Sequence, residues 1–196
     1  IEGNSSKTFT NVLKMLEYDE KLLHKILDML TNISIDYLNK QIESGIDVAM
    51  IFDTWGSLLN DEQYEKFSLR YINKIKNAIA NQDIPLIYYV RETGRKLEAL
   101  KNLDIDVLGI DSTTEIGVIK KQIGNKFALQ GNLDVNILKK DESDIIAAIK
   151  NILTSYGSNS GHIFNLGTGI TPDINPDKVK MLIDNLADIS SKFHVK

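Results

Sequence analysis

From Asp19 to Ser44 the apolar residues Leu22, Leu23, Ile26, Leu27, Leu30, Ile33, Tyr37, Leu38 and Ile42 recur at intervals of three and four. That spacing turns one stripe toward a core and predicts a long amphipathic helix, stopped at Gly45. Asp47-Val48-Ala49-Met50-Ile51-Phe52 follows as a nearly continuous apolar run, the pattern of a strand buried on both faces. The unit then repeats. A helix over Asp61 to Ala80 precedes a strand from Ile84 to Val90, whose Pro85 suits a strand's beginning, where its missing N–H costs least. A helix over Gly94 to Leu103 leads to the strand Asp106 to Ile110. Glu115 to Ile123, ended by Gly124, leads to the strand Lys126 to Gln130. Asp141 to Tyr156 carries Ile145, Ile149, Ile152 and Leu153 on one face, and a flexible Gly157 to Gly161 stretch precedes the strand His162 to Leu166. A last helix runs from Pro176, after Asn175 as its cap, to Phe193.

Strict alternation of helices with buried strands predicts a parallel sheet, right-handed crossovers and the α/β class. The residues alone leave an open doubly wound sheet and a (β/α)8 TIM barrel as alternatives. The chain has no glycine-rich fingerprint between a strand and a helix, which counts against a dinucleotide-binding sheet. Five units are too few to close eight staves, so a barrel would lack three strands at its front.

The chain has 196 residues, 42% hydrophobic and 26% charged, with a net charge of −4. That is the composition of one globular domain over residues 1–196 with a sizeable core. The absence of cysteine removes disulfides, thiolate zinc sites, Fe–S clusters and cysteine nucleophiles, and fits a reducing compartment. No apolar run approaches the about 18 residues of a membrane span. The acidic balance offers no basic patch for a phosphate backbone. Neither a membrane nor nucleic acid is therefore expected as a partner. The opening Ile1-Glu2-Gly3-Asn4-Ser5-Ser6 has no targeting pattern and is expected to be a cut inside a longer protein.

In parallel α/β folds, functional groups gather where strands end. Five segments qualify: Asp53-Thr54-Trp55-Gly56, Arg91-Glu92-Thr93-Gly94, Asp111-Ser112-Thr113, Gly131-Asn132-Leu133-Asp134 and Gly167-Thr168-Gly169. Asp53, Glu92, Asp111 and Asp134 are candidate acids or bases, although an Asp at a strand end, Asp134 above all, also reads as a helix cap. The hydroxyls of Thr54 and Thr168 can hold a carboxylate or carbonyl and have no nearby histidine to make them nucleophiles. His24, His162 and His194 all read as structural, so no metal site is expected. Of the arginines, Arg91 and Arg95 flank a strand exit, and a polyanionic ligand would need cations from elsewhere. Trp55 reads as packing beneath its loop or, alternatively, as a stacking surface.

Three blocks carry a resemblance: Ile51-Phe52-Asp53-Thr54-Trp55-Gly56, Leu129-Gln130-Gly131-Asn132-Leu133-Asp134, and His162-Ile163-Phe164-Asn165-Leu166-Gly167 followed by Gly169-Ile170 and Pro172-Asp173. In this order and spacing they closely resemble the uroporphyrinogen decarboxylase family, with Val107 to Asp111 and the opening residues as further blocks. The resemblance implies strands four to eight of a (β/α)8 barrel. It also implies a cytoplasmic homodimer that removes the four acetate carboxyl groups of uroporphyrinogen in haem and tetrapyrrole biosynthesis, without cofactor or metal. Carried over by position, Thr54 matches a substrate-binding hydroxyl and Phe52 an apolar cleft-lining residue, while Gly131 and Asn132 fall in a cleft-lining loop. Thr168 stands where the family usually has histidine and keeps a hydrogen-bonding hydroxyl in its place. Ser112 replaces a customary aromatic. The family's arginine clamps, its pyrrole-gathering aspartate and a substrate-binding tyrosine belong to a part preceding Ile1, so the resemblance implies no catalytic residue here and an inactive segment when alone. The rival readings are a corrinoid-dependent methyltransferase, a phosphate cup at the Gly-Thr-Gly loop, and a non-catalytic paralogue of the same barrel.

Overall fold

The computed structural model describes residues 2, 6, 8–79 and 83–193. Ile1, Gly3 and Ser5 of the opening motif, Ala80 and His194 lie outside them. The chain divides into two compact units, Ile1–Asp47 with Glu62–Ile84, and Val48–Asp61 with Pro85–Lys196.

The first unit is helical. Helix α1 (Thr10–Tyr18), which no pattern above announced, precedes α2 (Glu20–Glu43), whose N-terminus is capped by the Asp19 carboxylate accepting from the Leu22 N–H at 3.1 Å. The short helix α3 (Asp61–Tyr64) runs through a π-helical turn over Glu65–Leu69 into α4 (Arg70–Ile79), so the expected helix after Asp61 is present but interrupted. Helix α2 is joined to the π-helical turn by Lys66–Glu20 at 2.6 Å, and to α4 by Lys74–Asp28 and by a hydrogen bond of 2.6 Å between His24 Nδ1 and the Tyr71 hydroxyl. His24 also stacks on Phe67 at 4.8 Å. The single apolar stripe expected along α2 is divided: Leu23 and Leu38 are buried, whereas Leu22, Leu30, Ile33 and Tyr37 are exposed. Its apolar residues span a wider arc than one neighbouring helix can cover.

The second unit holds a five-stranded, wholly parallel sheet of β1 (Ala49–Asp53), β2 (Leu86–Val90), β3 (Val107–Gly109), β4 (Ala128–Leu133) and β5 (His162–Leu166). The spatial order is β1-β2-β3-β4-β5, the same as the order in sequence. With right-handed crossovers, a sheet that never reverses its order sends every connection over the same face and leaves the other free. A doubly wound sheet must reverse, so the order selects consecutive staves of a barrel. The connections are α5 (Thr93–Leu100), α6 (Ile116–Ile123) and α7 (Glu142–Tyr156), with α8 (Pro176–Ser190) after β5. Asn175 caps α8 by accepting from the Asp177 N–H, with Pro176 in the first turn. A core of Leu133, Leu138, Ile145, Ile149, Leu153 and Leu182 lies between β4, α7 and α8.

One expectation is corrected. The β1 run is not buried on both faces: Phe52 is 66% exposed, and only Ala49 of the strand is buried. A run of apolar residues carries no period, so it cannot separate a strand covered twice from one whose second face lines an open cavity.

Candidate active site

The sheet register aligns Phe52, Tyr89, Gly109, Gln130 and Ile163 in one row across all five strands. Residues paired across parallel strands share a face, so this row floors the free side of the sheet. Above it lies a cavity of about 320 Å³, to which Thr54, Arg91, Asn165 and Thr168 contribute from the strand exits. The smallest member of the row sets its shape. A Cβ on Gly109 would lie 3.0 Å from Tyr89 Cβ and 3.2 Å from its ring, so an unsubstituted β3 lets that ring lie close over the strand. The Tyr89 hydroxyl reaches the far side and donates to the Gly167 carbonyl at 3.0 Å, tying the exit of β2 to the loop that carries Thr168. Phe52 meets the Tyr89 ring at 5.8 Å and a 59° tilt, which extends the apolar shelf to β1.

Burial, and then the negative charge of Asp111, raise the Tyr89 phenol above its ordinary value, while the positive charge of Arg91 works the other way. The phenol therefore keeps its proton and remains a donor at neutral pH. The Arg91 guanidinium lies 5.0 Å from the ring of Trp55, which is itself partly exposed. The turn that carries Trp55 is held from below. Lys96, 5% exposed on α5, donates to the Leu59 carbonyl at 2.6 Å and to the Asp61 carboxylate at 3.0 Å.

Thr54, Phe52 and Thr168 line the same cavity. Gly131 and Asn132 do not. Gly131 has φ of 147°, a backbone state that favours glycine, and a Cβ there would lie 2.6 Å from the Ile110 carbonyl oxygen. The Asn132 amide is turned away and donates to the carbonyls of Asp111 at 2.9 Å and Thr114 at 2.7 Å. These two residues join β4 to the β3 exit. Asn132 also borders a larger cavity of about 610 Å³ with Ser112, Asp134 and residues of α6 and α7. Size does not make that cavity the site, because it lies between β4, the β3 exit loop and two flanking helices, whereas the smaller one collects the exits of β1, β2 and β5.

The candidate acids are occupied structurally. Asp53 accepts from the Tyr88 hydroxyl at 2.7 Å, and buried Asp111 accepts from the Glu92 N–H and the Thr113 hydroxyl. Asp134 accepts from the Asn136 N–H at the start of a 3₁₀ turn over Val135–Lys139. His162 Nε2 is 2.9 Å from the Gly131 carbonyl, and His162 stacks on Tyr156 at 4.4 Å. The functional groups that the strand-exit rule missed are Tyr89, Gln130 and Asn165, which sit inside strands. For two of them the available signal was the two-residue period: Tyr89 lies two before Arg91, and Asn165 two after Ile163, which shares the row with Gln130.

The chain matches the family described as "Uroporphyrinogen decarboxylase (URO-D)" over residues 1–188. It is similar to the uroporphyrinogen decarboxylase of Tolumonas auensis, 42% identical over 198 residues that cover 99% of this chain and 56% of that protein. It is also similar to the uroporphyrinogen decarboxylase of Coxiella burnetii, 43% identical over 195 residues, 97% of this chain and 54% of that one. The chain thus spans about half the length of the curated relatives it matches. Among solved structures it is similar to a methyltransferase from Methanosarcina mazei, with a TM-score of 0.79 and 22% identity over 90% of this chain and 52% of that one. That likeness concerns the fold. Taken with the match over nearly all its residues, the sequential parallel sheet and the cavity at its strand exits, the chain belongs to the uroporphyrinogen decarboxylase family.

Proposed function

We propose that the protein containing this chain is a uroporphyrinogen decarboxylase, and that these five βα units supply one wall of its substrate cleft within a single barrel domain. The observation that carries this reading is the meeting of Thr54 and Thr168 in one cavity beside an aromatic shelf, in a chain of that family. A tetrapyrrole has broad apolar faces and carboxylates on its rim. Phe52 and Tyr89 offer surface for the first, while Thr54, Thr168, Gln130 and Asn165 offer neutral hydrogen-bonding groups for the second.

The chemistry asks for orientation. When a pyrrole ring is protonated it accepts electrons: the pair of the acetate's carbon–carbon bond moves into the ring as carbon dioxide leaves, and the resulting methylene then takes up a proton to become methyl while the ring loses the proton it had gained. A wall that fixes the acetate in line with the ring lowers the barrier without forming a bond to it. In this reading Thr168 performs by hydrogen bonding what the family's usual histidine performs, and Gly131 and Asn132 shape the cleft from behind. The proposal includes a homodimer in the cytoplasm that uses neither cofactor nor metal. No helix among the described residues is long and apolar enough to cross a membrane.

The full-length protein, supplied anaerobically with uroporphyrinogen III, is expected to give coproporphyrinogen III by chromatography, with intermediates carrying seven, six and five carboxylates. Unchanged uroporphyrinogen, under conditions where an established decarboxylase turns it over, would overturn the reading and leave a non-catalytic paralogue.

A further inference from the structure

Arg91 is the only charged side chain among the described residues lining the exit cavity. No carboxylate among the described residues forms an ion pair with it. Instead its guanidinium lies 5.0 Å from the Trp55 ring and near Tyr89, whose hydroxyl is tied to the Gly167 carbonyl at 3.0 Å. Guanidinium carries five N–H donors in a planar fork. Attraction to the face of the Trp55 ring restricts the guanidinium before any anion arrives, so less freedom is left to lose on binding. A half-buried cation with no anionic partner, held by neutral neighbours, is arranged for an anion that arrives from outside.

We propose that Arg91, held beside Trp55, is a subsite for one rim carboxylate of the tetrapyrrole substrate, with Trp55 as its positioning residue. The inference rests on the decarboxylase reading above and adds a cation from this half of the cleft, where the sequence pointed only to cations from elsewhere. The charge favours a carboxylate. One positive group among neutral hydroxyls and amides matches a single negative charge, whereas a phosphate dianion calls for a second cation that the lining residues lack.

The test uses the full-length protein with Arg91→Gln, Arg91→Lys and Trp55→Leu. Two readouts apply: the Kd of uroporphyrin, an octacarboxylate that is not turned over, by fluorescence titration, and the KM and kcat for uroporphyrinogen. Arg91→Gln is expected to raise both Kd and KM by about tenfold or more, the scale of a lost hydrogen bond to a charged group, with a larger change in KM than in kcat. It should also flatten the salt dependence of binding. Arg91→Lys should recover part of the loss, and Trp55→Leu should raise Kd by about threefold or more. An Arg91→Gln protein that melts as the parent does and binds within twofold of it overturns the subsite. If that variant does not fold, Arg91→Lys and Trp55→Leu decide, and parental Kd in both overturns it. The two readings fail separately: Arg91-dependent uroporphyrin binding without turnover removes the decarboxylase and leaves the subsite, while turnover with KM indifferent to Arg91→Gln removes the subsite alone.

Discussion

A tyrosine and a cation meet at each end of the sheet, and they are used differently. At the amino end, Lys120 lies 3.5 Å over the Tyr156 ring and donates to the Tyr156 carbonyl at 2.9 Å. The Tyr156 hydroxyl donates to the Ser160 carbonyl at 2.7 Å, and its ring stacks on His162. Burial lowers the Lys120 ammonium and raises the Tyr156 phenol, so both are shifted toward their neutral forms. At the carboxyl end the Tyr89 hydroxyl likewise closes on a backbone carbonyl, that of Gly167, but Arg91 beside it lines a cavity with its donors left over. Bonds that close on the backbone stabilise a fold. Bonds that stop short at a cavity are available to a ligand.

That contrast is open to experiment, and the largest effect belongs to the residue that joins the two ends. Gly131→Ala should cost about 3 kcal/mol or more in urea unfolding of the full-length protein, since a Cβ there meets the Ile110 carbonyl oxygen at 2.6 Å in a backbone state favoured by glycine. A loss below about 1 kcal/mol would mean that β3 and β4 can separate at small cost. Tyr156→Leu should lose about 2 to 3 kcal/mol of stability through its ring and hydroxyl contacts while leaving uroporphyrin binding at the parental value. The opposite pairing is expected at the other end: Tyr89→Phe should change stability by about 1 kcal/mol or less and weaken uroporphyrin binding by roughly threefold to tenfold as the loop carrying Thr168 loses its tie to β2. If the two tyrosines behaved alike, the comparison would collapse.

Smaller effects sharpen it. Lys96→Met removes the buried ammonium that holds the Leu59 carbonyl beneath the Trp55 turn, and should cost about 1 to 2 kcal/mol by chemical denaturation. The smallest concerns pH. Lys139 at 2.7 Å, followed by the Thr171 hydroxyl, holds the Asp173 carboxyl down to about 2 from 3.8. A folded-state value below the unfolded one contributes stability above about pH 4, which is lost as pH falls toward 2. The group is exposed, so the measurable quantity is its titration: by NMR, Lys139→Gln should move the Asp173 midpoint upward, and an unmoved midpoint would leave Thr171 as the cause.

Much of the fold was legible in the chain before folding. The caps Asp134 and Asn175, the stops at Gly45 and Gly124, and the five strands all follow from neighbours within a turn or two, because periodicity and capping are local properties. Strand-exit logic also placed Thr54 and Thr168, and the structure brings them to one cavity. What the chain alone left open was decided by partners far along the sequence. Strand order distinguished a barrel's arc from a doubly wound sheet. Register set Phe52, Tyr89, Gly109, Gln130 and Ile163 in one row. Tyr89 found Gly167 across 78 residues, and Asn132 turned from the cleft toward the Asp111 and Thr114 carbonyls. A side chain's period says which residues share its face, but the direction it finally takes depends on which backbone groups the other strands leave unpaired beside it.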